Sequence, residues 1–240
     1  MIPKKIHYCW FGRKQKPKDV SENIENWGRL NPDYKIKEWN EDNFDLELMP
    51  FVSQAYQEQK YAFVADVARL YALLREGGIY LDTDVELLQA FPDYILKHES
   101  FVGFELSRQL MIGTAVIGSI KNNSFWKDFY DKYESMNFIN SDGSYNMIPN
   151  VDLLTEKLVE EGVILNDKHQ EIAGVHIYPR EYFSPKNYAT KRINKTSKSI
   201  AIHHFSATWI PLWKKTLLRI WVPFSAKYPK FAQSIKNIIG

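Results

Sequence analysis

At 240 residues with 45% hydrophobic side chains, the chain can bury one sizeable core and reads as a single domain. A lone cysteine, Cys9, excludes an internal disulfide, and no stretch nears the ~20 apolar residues that span a bilayer. The formal net charge of +2 hides a split: residues 1–181 carry 20 basic and 29 acidic side chains, while residues 182–240 carry 11 basic and no acidic ones. Such a split points to a basic tail that meets an anionic surface or ligand, and the bland alternative is a solvated basic face. Met1 to Gly12 contains only a short apolar run, so the expectation is a cytoplasmic protein.

In chain order, Lys4 to Trp10 reads as a first strand, closed by Gly12 and a basic turn. Ser21 to Leu30 carries helical spacing and stops at Asn31-Pro32, and Tyr34 to Trp39 alternates as a second strand. Phe51 to Gln59 reads as a helix. Tyr61 to Glu76 is the clearest one, with Phe63, Val67, Leu70, Tyr71 and Leu74 on one face. Asp66 and Arg69 lie three apart on another face. They form either a surface ion pair worth a few tenths of a kcal/mol or a ligand-facing pair, the carboxylate accepting from sugar hydroxyls and the guanidinium meeting phosphate.

The helix ends at Gly77-Gly78, a strand of three residues follows, and Asp82-Thr83-Asp84 stands at its C-terminal end. Thirteen aspartates in this chain would give roughly 0.7 Asp-x-Asp pairs by chance, so the triplet alone means little. Its context gives it weight. Open α/β sheets bind ligands outside the carboxyl ends of their strands, and two carboxylates there can hold a hard divalent cation and through it a diphosphate.

Further on, Phe101 to Phe104 and Ile112 to Ile120 read as strands, and Phe125 to Met136 and Val151 to Glu161 as helices. Val175 to Tyr178 and Ser199 to Phe205 are the last strands. Strands alternating with helices, without repeat or long linker, predict a mainly parallel α/β sheet. His203 and His204 end the last strand, and alternation lets only one of them face a cation beside Asp84. Trp10, ending the first strand, offers a face for a base to stack on and reads equally well as core.

Ile2 to Gly12, the block from Ala65-Asp66 through Arg69 to Asp82-Thr83-Asp84, and His203 to Trp209 together resemble the DxD-type sugar transferases. That group includes capsular-polysaccharide and yeast outer-chain mannosyltransferase enzymes, with the glucosylating clostridial toxins as distant relatives. The resemblance spans about residues 2–209, and the block 61–86 is its most specific part.

It implies a GT-A-like (Rossmann-like) fold over residues 1–210, a nucleotide-sugar donor, Mn²⁺ or Mg²⁺, and retention of anomeric configuration. It further implies that Trp10 stacks on the base, that Asp66 binds the donor sugar, and that Arg69 meets sugar or diphosphate. Asp82 would contact ribose, sugar or metal-bound water, Thr83 would sit in the donor site, and Asp84 would ligate the metal. His204, five residues before Trp209, would be the second metal ligand, with Thr208 and Trp209 reaching the diphosphate. One departure stands at Ile148-Pro149, where the family usually shows Gly-Pro before a helix, on the acceptor side.

Residues 211–240 read as a separate tail. Trp213 to Val222 and Ala226 to Ile239 interleave apolar residues with Lys214, Lys215, Arg219, Lys227, Lys230 and Lys236, and Pro223 divides them. Two amphipathic helices of this kind would lie on an anionic membrane surface, placing the protein on its cytoplasmic face beside a lipid-linked glycan acceptor of surface-polysaccharide synthesis. No nucleic-acid-binding module accompanies the basic residues.

Two rival readings remain. A haloacid-dehalogenase-type Mg²⁺ phosphatase also places Asp-x-Asp after a strand, but wants Thr or Val four residues after the first Asp, where this chain has Glu86. A non-catalytic carbohydrate- or nucleotide-sugar-binding protein would bind donor without turnover.

Overall fold

The structure, a computed structural model, describes residues 1–206; Thr208, Trp209 and the tail 211–240 lie outside them. The chain begins β1 (Lys5–Cys9), α1 (Lys18–Leu30), β2 (Lys35–Trp39), α2 (Pro50–Gln57) and α3 (Tyr61–Glu76). It continues β3 (Gly78–Leu81), β4 (Val85–Leu87), α4 (Asp93–Leu96), β5 (Ser100–Leu106), β6 (Leu110–Ser119), α5 (Ser124–Glu134) and α6 (Asn150–Glu160). The described part closes with β7 (Gln170–Ile172), β8 (Val175–Tyr178), α7 (Arg180–Phe183) and β9 (Ala201–His203).

Seven strands form one sheet in the order β2-β1-β3-β6-β5-β8-β7. The pairs β1–β2, β1–β3 and β5–β8 are parallel, whereas β3–β6, β5–β6 and β7–β8 are antiparallel. Helices cover both faces, as the GT-A-like expectation requires. Alternation along β3 shows the division: Tyr80 enters the core beneath α2, α3, α5 and α6, while Ile79 and Leu81 enter the core beneath α1. Cys9 is buried in the first of these cores, and burial pushes its thiol up to about 12, which makes it inert as read from its apolar neighbours.

Nearly every side of α3 is buried, not one stripe: Val64, Ala68, Ala72 and Leu73 join the expected apolar face. A helix apolar all round belongs inside a sheet-and-helix layer. Its end is set by the glycine pair. Gly77 caps it with φ +64 and donates its N–H to Leu73 O at 2.8 Å. Gly78 has φ +120, and a Cβ there would lie 2.8 Å from Lys5 O, so only glycine lets β3 enter beside β1. His7, buried in β1, ties the junction: its Nε2–H donates to Gly77 O at 2.8 Å, and its Nδ1 accepts from Trp39 Nε1 at 3.2 Å.

The last strand differs from expectation. Ser199 to Phe205 shortens to Ala201–His203, which leaves the main sheet and pairs antiparallel with β4 in the register Val85↔His203, Glu86↔Ile202, Leu87↔Ala201. Before it, Ile200 N donates to Tyr182 O and Ser199 Oγ to Glu181 O; after it, Phe205 at φ +55 turns the chain away. Strand β4 leaves no mark in the sequence, because Val85-Glu86-Leu87 is too short to alternate visibly. No helix among the described residues is long and apolar enough to cross a membrane.

Candidate active site

The turn carrying Asp82, Thr83 and Asp84 is fixed from both sides. Asp82 N donates to Ala115 O at 2.9 Å, extending the β3–β6 ladder by one step, and Val85 N closes the turn onto Asp82 O at 3.0 Å. From α1, Asn23 Nδ2 donates to Thr83 O at 3.0 Å and Trp27 Nε1 to Val85 O at 2.8 Å. From the chain after β9, His204 N donates to Asp84 O at 3.0 Å and Ser206 N to Asp84 Oδ2 at 2.6 Å. Backbone bonds thus fix where the two carboxylates stand.

Asp66 and Arg69 are buried, at 8% and 6% exposure, so the surface ion-pair reading fails. Arg69 Nη2 lies 3.0 Å from Asp66 Oδ1 and 3.2 Å from Asp82 Oδ1, and Nη1 donates to Thr114 O at 2.9 Å. Tyr80 OH donates to Asp82 Oδ1 at 2.8 Å, and the guanidinium sits 4.8 Å from the Tyr80 ring centroid. One cation therefore joins a helix carboxylate to a strand-end carboxylate.

The charges are tuned accordingly. Burial pushes the Asp66 carboxyl up to about 6, Arg69 pulls it down, and Asp82 adds to the rise. Burial also raises Asp82, against Arg69, with Asp84 adding to the rise and His203 opposing it. Burial draws the His203 imidazole down, but Asp84, Glu105 and Asp82 outweigh it and hold it up at about 9.

Asp82, Asp84 and His203 each offer a ligand atom within 4.8 Å of the other two. A set of two carboxylate oxygens and one imidazole nitrogen fits a divalent cation such as Mn²⁺. The histidine differs from the one the resemblance singled out. His203 Nε2 lies 3.6 Å from Asp84 Oδ1, whereas His204 Nε2 lies 2.8 Å from Glu86 Oε2 and its Nδ1 lies 3.2 Å from Lys186 Nζ. In the β4–β9 register His203 sits opposite Val85, and His204, on the other face, reaches diagonally to Glu86; the ring contacts, and not the register, put His203 beside Asp84.

His204, Glu86 and Lys186 instead line a cavity of about 680 Å³ that also touches Asn23, Asn26 and Asp84. Burial lowers the Lys186 amine, and Asp84 and Glu86 oppose that. Trp10 is half-buried at the end of β1, its indole N–H held by Lys14 O at 2.6 Å.

Several groups escaped the sequence reading. Tyr80 and the Thr114 carbonyl bind the buried cation–carboxylate network, and Asn150 at the start of α6 donates to Asp66 O at 3.3 Å and accepts nothing at its buried Oδ1. Glu105 is the most telling. It is 5% exposed in a strand with no other charged residue, and a charge at that position is the one signal that marks it in sequence.

Residues 17–102 match a family described as the glycosyltransferase sugar-binding region containing the DXD motif, a span that holds Asp66, Arg69, Asp82 and Asp84. That match covers 86 of the 240 residues. An uncharacterized glycosyltransferase of Acanthamoeba polyphaga mimivirus is 27% identical over 230 residues, covering 88% of this chain and 85% of that protein. The mannosyl phosphorylinositol ceramide synthase of Saccharomyces cerevisiae is 28% identical over 149 residues, 55% of this chain and 36% of the yeast protein. The chain therefore spans most of the viral relative and about a third of the yeast one. In fold, the chain is similar to the PaToxG glycosyltransferase, with a TM-score of 0.51 and 22% identity over 67% of this chain and 70% of the other.

Proposed function

We propose that this protein is a glycosyltransferase that moves a sugar from a nucleotide-sugar donor, a UDP-sugar, to a lipid-linked glycan acceptor of surface-polysaccharide synthesis, with a divalent cation and retention of configuration. The observation that carries the reading is the single network running from Asp66 through Arg69 and Asp82 to Asp84 and His203 at the carboxyl end of β3. Asp82, Asp84 and His203 would hold Mn²⁺ or Mg²⁺, which when bound supplies Lewis-acid stabilisation of the departing diphosphate.

The chain's own groups do the rest. Asp66 accepts from donor-sugar hydroxyls, and Arg69 offsets the negative charge that builds as the sugar–phosphate bond breaks. The acceptor hydroxyl forms the new bond to the same sugar carbon from the leaving-group side, and the freed diphosphate oxygen takes its proton. Trp10, Thr83, Thr208 and Trp209 complete the donor site in this reading. The phosphatase alternative loses ground because Asp82 is held by Arg69 and Tyr80 instead of standing free as a nucleophile.

Full-length protein with Mn²⁺, incubated with a panel of nucleotide sugars, should release nucleotide from one donor class. Binding of a donor with no release from any of them would instead favour the non-catalytic nucleotide-sugar-binding reading. A pH profile tests Asp66. Because its carboxyl is raised to about 6, acidification through that pH protonates it and removes the charge that receives sugar hydroxyls. Transfer should fall on the acid side near pH 6, and Asp66→Asn should be low throughout without that limb.

The lipid-linked acceptor is supported by the ceramide in the yeast relative's name and by the basic, apolar composition of residues 211–240. At about 1 kcal/mol per Lys or Arg near an anionic surface, six such residues suffice for reversible attachment. Full-length protein should float with anionic liposomes at low salt and be released by high salt, whereas a chain ending at Pro211 should stay behind. Failure of the full chain to float would leave the tail without a membrane role.

A further inference from the structure

Strand β5 runs through both cores as Ser100-Phe-Val-Gly-Phe-Glu105-Leu106, and every residue but Leu106 is buried. A carboxylate in such a place is costly to bury unless something answers it. His203 does so, donating its Nδ1–H to Glu105 Oε2 at 3.1 Å across 98 residues of sequence. The Phe205 ring, its centroid 4.0 Å from that of the imidazole, packs against the same side chain.

Strand β6 provides the room. Gly113 stands beside Glu105, and a Cβ built on it would come 2.7 Å from Glu105 Oε2 and 3.2 Å from Cδ. Any other residue would push the carboxylate off the oxygen position that His203 uses. With Nδ1 taken up by Glu105, the ring turns its Nε2 to Asp84 Oδ1, 3.6 Å away.

We infer that Glu105 is a positioning residue: it holds His203 by Nδ1 so that Nε2 is presented to the cation shared with Asp82 and Asp84. Gly113 keeps the space that this requires. The inference rests on the cation reading proposed above and extends it to two residues outside the DXD region. A carboxylate behind a ligating imidazole fixes the ring's orientation and raises its basicity as a ligand.

Mn²⁺ affinity of the full-length protein, read from the free-ion electron paramagnetic resonance signal, tests it, with metal-free thermal unfolding recorded for every variant. Glu105→Ala should weaken Mn²⁺ binding by about 10–100-fold, the usual effect of losing such a partner. Glu105→Gln, which keeps an acceptor oxygen, should lose less. Gly113→Ala should also weaken binding, although it removes no polar group. At equal loading, nitrogen modulation in the pulsed spectrum of bound Mn²⁺ should be present in the wild type, absent in His203→Ala and reduced in Glu105→Ala.

Wild-type affinity in Glu105→Ala, alongside weakened His203→Ala, overturns the positioning role and leaves the cation reading standing. A wild type that takes no Mn²⁺, or a His203→Ala protein that takes it unchanged, overturns the cation reading and this inference with it. If Glu105→Ala fails to fold, Glu105→Gln and Gly113→Ala decide: both binding as the wild type does would overturn the role.

Discussion

Asp84→Ala should lower sugar transfer and donor hydrolysis by at least about 10³-fold, since Lewis-acid stabilisation is worth several kcal/mol and each 1.36 kcal/mol is tenfold in rate. The Asp84 carboxylate stands beside Asp82 and His203, with Ser206 N already bonded to one oxygen. Its backbone carbonyl, not its side chain, binds His204 N, so the β4–β9 pairing survives truncation and circular dichroism should be unchanged. EDTA should act as the substitution does on the wild type, and added Mn²⁺ should restore it.

Of the two histidines, His203→Ala should be the more damaging, because the His204 ring is engaged by Glu86 and Lys186. Full transfer in chelator, or in Asp84→Ala, would remove the cation from the mechanism. A larger loss in His204→Ala would move the ligand to the other face of β9.

Arg69→Met should destabilise the protein by about 3–5 kcal/mol, the cost of breaking a buried ion pair from one side. Methionine fills much of the arginine's volume, so the loss would measure charge and not a cavity. Without the guanidinium, Asp66 and Asp82 face each other across buried space, and Thr114 O loses its donor. Adding Asp66→Asn to Arg69→Met should recover part of the loss, because one uncompensated carboxylate is then neutral. Urea unfolding of the four proteins of that cycle gives the coupling directly. A loss under about 1 kcal/mol for Arg69→Met would show that solvent already screens the pair, as at an exposed site.

The helix–glycine–strand–carboxylate order was legible because each step is local. Helical periodicity marks Tyr61 to Glu76, and Gly77 and Gly78 sit at positive φ where side chains do not fit. Three apolar residues then carry the chain to Asp82. The pairing of Asp66 with Arg69 was visible as spacing, yet its burial was not, since spacing says which residues share a face and not what covers that face.

The histidine and Glu105 belong to the same limit. Alternation separates His203 from His204, but which ring stands beside Asp84 depends on how the end of β9 packs on the turn at Asp82 to Asp84, segments more than 100 residues apart in sequence. Residue pattern determined most of the longer elements and the carboxylates at the end of β3. Tertiary structure alone decided which imidazole stands beside them and which buried carboxylate holds it, because strand partners and their register come from packing distant segments, which no local pattern encodes.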